Sequence, residues 1–412
     1  MTVEVITLDN GLRVVMEDIP FVRSVSFGIW VKNGSRNEDK NTNGISHFIE
    51  HMLFKGTDKR SAKDIADAMD EIGGQVNAYT SKEYTCYYTR TLDAHFDIAL
   101  DVLSDMFFNA RFGQEDIRKE CNVILEEISM YEDTPEDVVH DLLQQAVYKS
   151  GSLGLTILGT AESIGAFDRA RFKEYMGSHY IPSSTVIAVA GNLSACDALE
   201  KIKKAFCDFN SPGAVCDYAK QQYTPAFTNK EKDIEQVHLC IGFPGIKIGT
   251  DESYTMAAIN TMLGGGMSSR LFQKIREEHG LAYSVYSYHT GFLDTGLFAV
   301  YAALAPAQLA EVTEMILEEV KMSSLQTVSS SQLSKTKEQL KSNYILSLES
   351  VASRMNSIGR NLLMLNRIVT ADELIQKIDA IDLNGFYTLC EKIFKADHMS
   401  MAVVGSADLT NL

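Results

Sequence analysis

Two histidines and a glutamate in one short segment have the spacing of a metal site. His47, Glu50 and His51 lie within Gly-Ile-Ser-His-Phe-Ile-Glu-His-Met-Leu-Phe, residues 44–54. On a helix, His47 and His51 are one turn apart on one face, so both imidazoles can bind one ion, with Glu50 beside them. A carboxylate near a metal but not bound to it can act as a general base. The spacing predicts a catalytic zinc site; two histidines on a solvated helix face are the alternative.

The residues around these three predict the helix that must position them. The apolar residues of the segment recur at helical spacing, and Gly44 and Gly56 bound it at about three turns. The order His-x-x-Glu-His is the reverse of the zinc-peptidase motif His-Glu-x-x-His. We therefore expect a short amphipathic helix that carries the metal ligands.

A catalytic zinc site needs a third protein ligand and one position open to water. Acidic residues are too numerous in this chain for chemistry alone to choose one. In the predicted helix 114–131, Glu120 and Glu127 are seven residues apart and share a face, whereas Glu126 points about 100° away. A solvated helix face is the alternative for any of these glutamates.

Composition restricts the partners and the compartment. The 412 residues carry a formal net charge of −17, which disfavours nucleic acid and anionic membrane surfaces and favours basic partners. Seven cysteines without a Cys-x-x-Cys pair are typical of a reducing, cytoplasmic location. The sequence begins without a signal-peptide pattern, and no apolar run approaches the length of a membrane span. We expect a cytoplasmic protein that does not bind membranes.

The order of the predicted elements indicates an α+β fold built from two homologous halves. The segments 189–193 and 403–409 resemble each other, with Gly191 and Gly405 at an offset of 214 residues, and the strand 25–31 recurs near 238–244. Such a repeat predicts two similar halves, each a mostly antiparallel sheet with helices packed on it.

The boundary between the halves is predicted from a change in composition. A polar stretch with Pro212, Gly213 and Pro225 lacks sustained periodicity. We expect an N-terminal zinc-binding domain over 1–210, a linker over 211–230 and a C-terminal domain over 231–412. Because the second half has no counterpart of the two histidines and Glu50, only the first half is expected to bind metal.

Taken together, these motifs resemble the pitrilysin/insulinase zinc metallopeptidases. Within that family, the sequence is most similar to the catalytic beta subunit of mitochondrial processing peptidase and its bacterial relatives. The resemblance covers nearly the whole chain and includes residues 47–57, 73–80, 123–127 and 276–283. The family's third ligand lies about 76 residues after the second histidine in a Val-Ile-Leu-x-Glu stretch, which is Glu127 here. Glu120 matches the family's additional glutamate, seven positions earlier.

The resemblance implies a role for each of these residues. His47, His51 and Glu127 would bind one Zn²⁺ per chain, and Glu50 would be the general base. Glu120 would orient a ligand or a water rather than bind the ion; an ordinary surface glutamate is the alternative.

Arg276 and Tyr283 match a family pair that binds substrate and helps to stabilise the tetrahedral intermediate, since both can donate hydrogen bonds to an oxyanion. A helix-face ion pair for Arg276 and a core position for Tyr283 are the alternatives. The implied activity is that of a zinc endopeptidase acting on unfolded peptides or leader segments.

The resemblance also implies how a peptide binds. Asn77, Ala78 and Tyr79 would lie on the edge strand to which the substrate backbone pairs, a sequence-tolerant mode; plain strand core is the alternative for Tyr79. Phe54 coincides with a family position that contacts an apolar residue just after the cleaved bond, although it could equally cover the apolar face of its own helix.

Two acidic residues predict a preference for basic peptides. Asp137 and Asp141 lie where processing peptidase pairs acidic residues with arginine, and one helical turn separates them, so both could face one guanidinium. Asp137 departs from the mitochondrial enzyme, which has the longer Glu. We expect a preference for arginine two or three residues before the cleaved bond.

Quaternary structure follows from the same resemblance. Family members enclose peptides in a chamber of four such domains, and this chain supplies two, so a homodimer is expected. Arg276 and Tyr283 would then serve the zinc site of the opposite chain. The alternative function is a non-catalytic structural subunit, since the same fold occurs in the core subunits of a respiratory complex. Such subunits usually have a degraded motif, whereas this motif is intact.

Overall fold

The computed structural model describes residues 3–149, 151–210 and 219–407. In this part of the chain the strands are β1 (Val3–Thr7), β2 (Arg13–Asp18), β3 (Ser24–Val31), β4 (Gln75–Thr80), β5 (Thr85–Leu92), β6 (Thr185–Gly191), β7 (Phe227–Lys230), β8 (Val237–Pro244), β9 (Ala282–Gly291), β10 (Gly296–Leu304) and β11 (Ser400–Val404).

The α-helices of the first half are α1 (Ile45–Leu53), α2 (Ala62–Asp70), α3 (Phe96–Asn109), α4 (Gln114–Glu132), α5 (Pro135–Val147), α6 (Ala161–Gly165), α7 (Arg169–His179) and α8 (Ala195–Ala205). Those of the second half are α9 (Glu252–Gly264), α10 (Leu309–Val320), α11 (Met322–Leu325), α12 (Ser330–Ser347), α13 (Val351–Leu365), α14 (Ala371–Asp379) and α15 (Leu383–Ile393). A π-helix spans Phe272–Glu278.

The first sheet has six strands in the order β1-β2-β6-β3-β5-β4. Its neighbouring strands are antiparallel, apart from the parallel pair β2 and β6. The central β6 is buried along its whole length, which explains why its sequence is a nearly continuous run of apolar and β-branched residues. Because β4 lies at the edge of the sheet, only one side of its backbone pairs with a neighbouring strand.

The second sheet repeats this arrangement with five strands in the order β7-β11-β8-β10-β9. β11 pairs in parallel with β7 and antiparallel with β8, as β6 does with β2 and β3. Gly191, the last residue of β6, and Gly405, directly after β11, have φ angles of +141° and +128°. A Cβ at Gly191 would lie 2.3 Å from the Ser24 carbonyl oxygen, so the repeated glycine is a steric requirement. The predicted α+β fold with two homologous halves is confirmed.

The described residues form two compact units that exchange segments along the chain. Unit 1 contains the described residues of Met1–Ile128, Leu155–Tyr218 and Leu346–Val369, and unit 2 contains those of Ser129–Gly154, Ala219–Ile345 and Thr370–Leu412. α5 therefore belongs with the second sheet and α13 with the first. The predicted domains, 1–210 and 231–412, instead assign α5 to the first domain and α13 to the second.

The predicted linker, 211–230, also differs from the structure where the structure describes it. Residues 211–218 lie outside the described residues. The last four positions, Phe227–Lys230, form β7, which pairs with β11. This strand is short, and its alternation of exposed and half-buried residues contains little apolar signal.

Each sheet is covered on both faces within its own unit. In unit 1, α1, α3 and α8 pack on one face, and α13 packs against β3 and β6 on the other. A Cβ at Gly28 would lie 2.7 Å from the Met355 sulfur, so a glycine in the middle of β3 lets α13 approach closely. In unit 2, Val139 and Leu143 of α5 pack in one apolar cluster with Cys240 and Ala299 of the sheet.

Local signals explain which helices the sequence predicts. The N-terminus of α2 carries a local signal, because Ser61 and Asp64 form the reciprocal side-chain to backbone hydrogen bonds of a capping box. The helices α6 and α7 have no counterpart in the sequence-based assignment. α7 buries only Phe172 and Tyr175 among its eleven residues, so its apolar periodicity is weak.

No helix in the described part of the chain combines the length and apolar character needed to cross a bilayer. The six cysteines in that part, Cys86, Cys121, Cys196, Cys207, Cys240 and Cys390, are all free thiols. The cytoplasmic location stays a prediction.

Candidate active site

The helix that carries the motif starts at a sterically fixed point. Gly44 has a φ of +91°, and a Cβ there would lie 2.8 Å from the Leu158 carbonyl oxygen. The buried Glu38 carboxylate accepts hydrogen bonds from the Gly44 and Ser46 amides at 2.8 and 2.9 Å. It thus satisfies amides that have no partner within the helix and complements the positive end of its dipole. Burial raises the pKa of Glu38, although these hydrogen bonds act to lower it.

One face of α1 fixes the helix in the core, and the other presents the polar motif. Phe48, Ile49 and Met52 are buried in the core of unit 1. The rings of His47 and His51 lie side by side with centroids 4.5 Å apart. The helix geometry therefore brings the two imidazoles together, as the spacing of four residues predicts.

Glu127 of α4 completes a three-residue cluster. Its Oε2 lies 3.8 Å from His47 Nε2 and 3.7 Å from His51 Nε2. Two ligands of a tetrahedral zinc ion, each about 2.1 Å from the metal, are about 3.4 Å apart. Among the described residues, these three form the group whose ligand atoms all lie within 4.8 Å of one another, as a shared ion requires.

The protonation state of His47 suits a metal ligand. Burial, and secondarily the neighbouring His51, lowers the pKa of His47 to about 3. The ring is therefore neutral at physiological pH and keeps a nitrogen lone pair available. Two imidazoles and one carboxylate match the donor set of catalytic zinc sites and leave a coordination position open.

Glu120 contacts a ligand rather than the cluster centre. Its Oε1 lies 2.9 Å from His51 Nδ1, and its Oε2 lies 2.6 Å from Lys55 Nζ. Burial alone would raise the pKa of Glu120, but the hydrogen bonds with His51 and Lys55 lower it below its usual value. Glu120 is only 4% exposed, so the alternative of an ordinary surface glutamate is wrong. An ionised carboxylate on Nδ1 favours the tautomer whose Nε2 binds metal.

Glu50 lies beside the cluster and makes a specific contact with the first sheet. The Thr80 hydroxyl donates a hydrogen bond of 2.5 Å to Glu50 Oε2. Burial raises the pKa of Glu50 against the opposing effect of that hydrogen bond. The carboxylate is thus oriented, and it exchanges a proton more readily near neutral pH than an exposed glutamate does.

The predicted substrate strand is β4, the edge of the first sheet. Asn77 is exposed, and its Oδ1 accepts a hydrogen bond from the Ala78 amide at 2.8 Å. Ala78 packs on the core of unit 1. The Tyr79 ring contacts the rings of Trp30, Tyr84 and Tyr88 edge-on, so its side chain is part of the packing while its backbone lies in the edge strand.

Phe54 lies immediately after α1, where its amide caps the helix by bonding to the His51 carbonyl. The side chain is half-buried and packs against the core of unit 1. This contact agrees with the interpretation in which Phe54 covers the apolar face of its own helix, and the peptide contact stays a prediction.

The acidic pair lies on α5, within unit 2. Tyr131 donates a hydrogen bond to the Asp137 carbonyl oxygen at 3.3 Å, and it also interacts with the Asp141 carboxylate. Burial, and then the neighbouring Glu136, raises the pKa of Asp137. Both aspartates are half-buried and one turn apart, so their spacing remains compatible with a shared cation.

Arg276 and Tyr283 are brought together in unit 2. The Arg276 guanidinium lies 4.7 Å from the centroid of the Tyr283 ring and 4.7 Å from that of Phe272. Tyr283 is 77% exposed, so the alternative of a core position is wrong. Arg276 also approaches Glu277, with a separation of 3.9 Å, which is a weak surface ion pair.

Three contacts at this site have no counterpart in the sequence-based assignment. Glu38 caps the metal helix, Lys55 holds Glu120, and Thr80 holds Glu50. A polar residue before a helix start is a known capping signal, but Glu38 lies outside the usual capping positions. The partners of Lys55 and Thr80 are distant in sequence, so no local pattern indicates them.

Two family profiles match successive parts of the chain. Residues 13–161 match the family described as "Insulinase (Peptidase family M16)". Residues 166–340 match the "Peptidase M16 inactive domain". The metal cluster lies in the first of these regions.

Relatives and solved structures extend the match to the whole chain. The sequence is 44% identical to the "uncharacterized zinc protease YmxG" of Bacillus subtilis over 403 residues, 98% of each protein. It is 40% identical to an "uncharacterized zinc protease" of Streptomyces coelicolor over 391 residues, 92% of this chain and 84% of that protein.

The fold is also similar to the crystal structure of a protease from Helicobacter pylori, with a TM-score of 0.90 and 22% identity over 98% of this chain and 99% of that one. A structure described as a peptidase M16 inactive domain from Pseudomonas fluorescens has a TM-score of 0.92 at 19% identity, over 99% of each chain. On the two matching profiles and the full-length relatives, the chain belongs to the insulinase family of peptidases, family M16.

Proposed function

We propose that the protein is a zinc-dependent endopeptidase that cleaves unfolded peptides or leader segments. The observation that carries this proposal is the convergence of His47, His51 and Glu127 beside an oriented, buried Glu50. Zinc held by the three ligands would supply a Lewis acid that activates water and polarises the scissile carbonyl.

Glu50 is the general base in this proposal. Its Oε2 is bonded to Thr80, so Oε1 is the oxygen that takes the proton of the attacking water. The proton is then delivered to the leaving amine nitrogen when the peptide bond breaks. The raised pKa of Glu50 supports this role, since the group must accept and then donate a proton.

The peptide binds by adding a strand to β4. An edge strand offers backbone groups to any extended chain, so recognition of this kind tolerates many sequences. In the free protein the Ala78 amide donates a hydrogen bond to the Asn77 side chain. A carbonyl of the incoming peptide would replace the Asn77 oxygen as the acceptor. Backbone pairing requires an extended chain, which restricts substrates to unfolded segments.

Selectivity comes from side-chain contacts. Asp137 and Asp141 bind an arginine upstream of the cleaved bond, and the half-buried Phe54 contacts the apolar residue after it. The net charge of −17 supports basic substrates, because a negative field attracts cationic peptides.

A homodimer completes the active site in this proposal. Arg276 and the exposed Tyr283 stabilise the oxyanion of the tetrahedral intermediate and serve the zinc site of the partner chain. The cation–π contact between the two side chains supports a joint role, since it orients the guanidinium at an exposed position.

The test is zinc content and peptide hydrolysis of the wild type beside Glu50→Gln. We expect both proteins to bind one zinc per chain, and only the wild type to cleave a quenched basic peptide. A wild type that binds zinc but cleaves no unfolded peptide would refute the catalytic function. A wild type without zinc would favour a non-catalytic structural subunit.

A further inference from the structure

The contact between Thr80 and Glu50 connects the edge strand to the proposed base. Thr80 is the last residue of β4, and successive side chains of a strand point to opposite faces. Ala78 packs on the face of the sheet that α1 covers, whereas Tyr79 packs against Trp30. Thr80 therefore points towards α1, where its hydroxyl bonds to Glu50 Oε2 at 2.5 Å.

The neighbouring Thr85 does not compete with Glu50 for the hydroxyl proton of Thr80. Thr85 faces Thr80 across the β4–β5 pair, and it is fully buried. Its hydroxyl donates at 2.8 Å to the Asn33 carbonyl and lies 3.5 Å from the Thr80 oxygen. The Thr85 hydroxyl thus donates its proton to the Asn33 carbonyl. The Thr80 hydroxyl is the one that donates to Glu50. The Thr80 amide contributes as well.

We propose that Thr80 is a positioning residue for Glu50, an inference that rests on the proposed function. A glutamate carboxylate rotates with little restriction about its last torsion. A hydrogen bond to Oε2 selects one orientation of the carboxylate, and in the proposed mechanism Oε1 receives the proton of the attacking water. Thr80 acts through Glu50 and makes no bond to the reacting atoms.

The position of Thr80 also sets the distance between the base and the substrate. A peptide paired with β4 takes its register from the backbone of that strand, and the same strand holds the carboxylate that acts on the peptide. Cleavage at one bond of a bound segment therefore depends on a geometry fixed within a single strand. Misplacement of about 1 Å can reduce turnover roughly 100-fold.

The variants Thr80→Val and Thr80→Ser separate the hydroxyl from the shape of the side chain. Thr80→Val keeps the shape and removes the donor, and we expect kcat to fall roughly 10- to 100-fold with KM and zinc content unchanged. Thr80→Ser restores the donor, and we expect most of the activity to return. Thr89→Val is the matched control, because Thr89 of the neighbouring strand is buried and its hydroxyl has no hydrogen-bond partner among the described residues.

Binding measurements test whether Thr80 contacts the substrate directly. In the Glu50→Gln background, adding Thr80→Val should leave the dissociation constant of a basic peptide unchanged. A clear loss of peptide affinity would make Thr80 a substrate-binding residue and overturn the proposal, as would an unchanged kcat for Thr80→Val alone.

Crystal structures of the zinc-loaded variants give a readout that does not depend on turnover. We expect one orientation of the Glu50 carboxylate in the wild type and Thr80→Ser. In Thr80→Val we expect the carboxylate to be displaced or to adopt more than one orientation. An identical carboxylate in all three would refute the inference. A wild type that cleaves no peptide would instead refute the proposed function, while these structures still decide the role of Thr80.

Discussion

Replacing Glu120 by glutamine should weaken zinc binding without touching a metal ligand. Glu120 is buried on α4, with one carboxylate oxygen 2.9 Å from His51 Nδ1 and the other 2.6 Å from Lys55 Nζ. Glutamine has nearly the same shape but no charge. It loses the ion pair with Lys55, and its amide can turn an N–H group towards His51 and oppose the tautomer that binds metal through Nε2.

The size of the effect follows from the position of Glu120. Loss of a hydrogen-bonding partner behind a ligating histidine typically costs 10- to 100-fold in metal affinity, which is about 1.4 to 2.7 kcal/mol. Because Glu120 is only 4% exposed, solvent cannot replace the lost bond. We therefore expect the zinc dissociation constant to rise by roughly 10- to 100-fold, and the protein to remain folded.

A competition titration with a chromophoric chelator measures this constant. Glu126→Gln is the matched control, because Glu126 lies on the same helix, is exposed and undergoes the same chemical change. We expect the control to bind zinc as tightly as the wild type. Equal zinc affinity for Glu120→Gln and Glu126→Gln would refute the argument that Glu120 holds His51.

Three further predictions concern selectivity, assembly and pH. Asp137→Asn combined with Asp141→Asn should reduce kcat/KM for peptides with arginine before the cleaved bond but not for alanine counterparts; an unchanged preference in cleavage profiling contradicts the assignment. An equal mixture of Glu50→Gln and Arg276→Ala chains should regain about a quarter of wild-type activity after subunit exchange, whereas no regain indicates action within one chain. Burial lowers the pKa of His289 to about 4, so below about pH 6.5 the unfolded chain takes up a proton that the folded chain does not. The free energy of unfolding should therefore fall as pH drops, by up to about 1.4 kcal/mol per pH unit. Urea unfolding near pH 7.5 and near pH 5.5 should show a smaller decrease for His289→Asn than for the wild type, and equal decreases would contradict this assignment.

The sequence predicts the metal helix well because its signals are local. The spacing of His47 and His51 requires only helix geometry, and the bounding Gly44 and the apolar positions define the helix itself. The choice between Glu120 and Glu127 is different. Both lie on one face of α4, so periodicity alone cannot separate them, and only the family resemblance favours Glu127 as the ligand. In the structure their heights along α4 distinguish them: Glu127 reaches the Nε2 atoms, and Glu120 reaches Nδ1 of His51.

Contacts between distant segments were beyond the sequence. The bond from Thr80 to Glu50 exists because β4 is the edge strand next to α1, and strand order cannot be read from alternation along one strand. The membership of α5 in unit 2 and of α13 in unit 1 cannot be predicted for the same reason. An amphipathic pattern shows that a helix buries one face, but it does not show which sheet receives that face.

Zinc-edge anomalous diffraction from crystals of the wild type tests the central claim most directly. We predict one strong peak per chain within about 2.0 to 2.2 Å of His47 Nε2, His51 Nε2 and a carboxylate oxygen of Glu127. Zinc bound elsewhere, or the absence of a peak between these three side chains in zinc-saturated crystals, would contradict the assignment of the metal site and the peptidase function built on it.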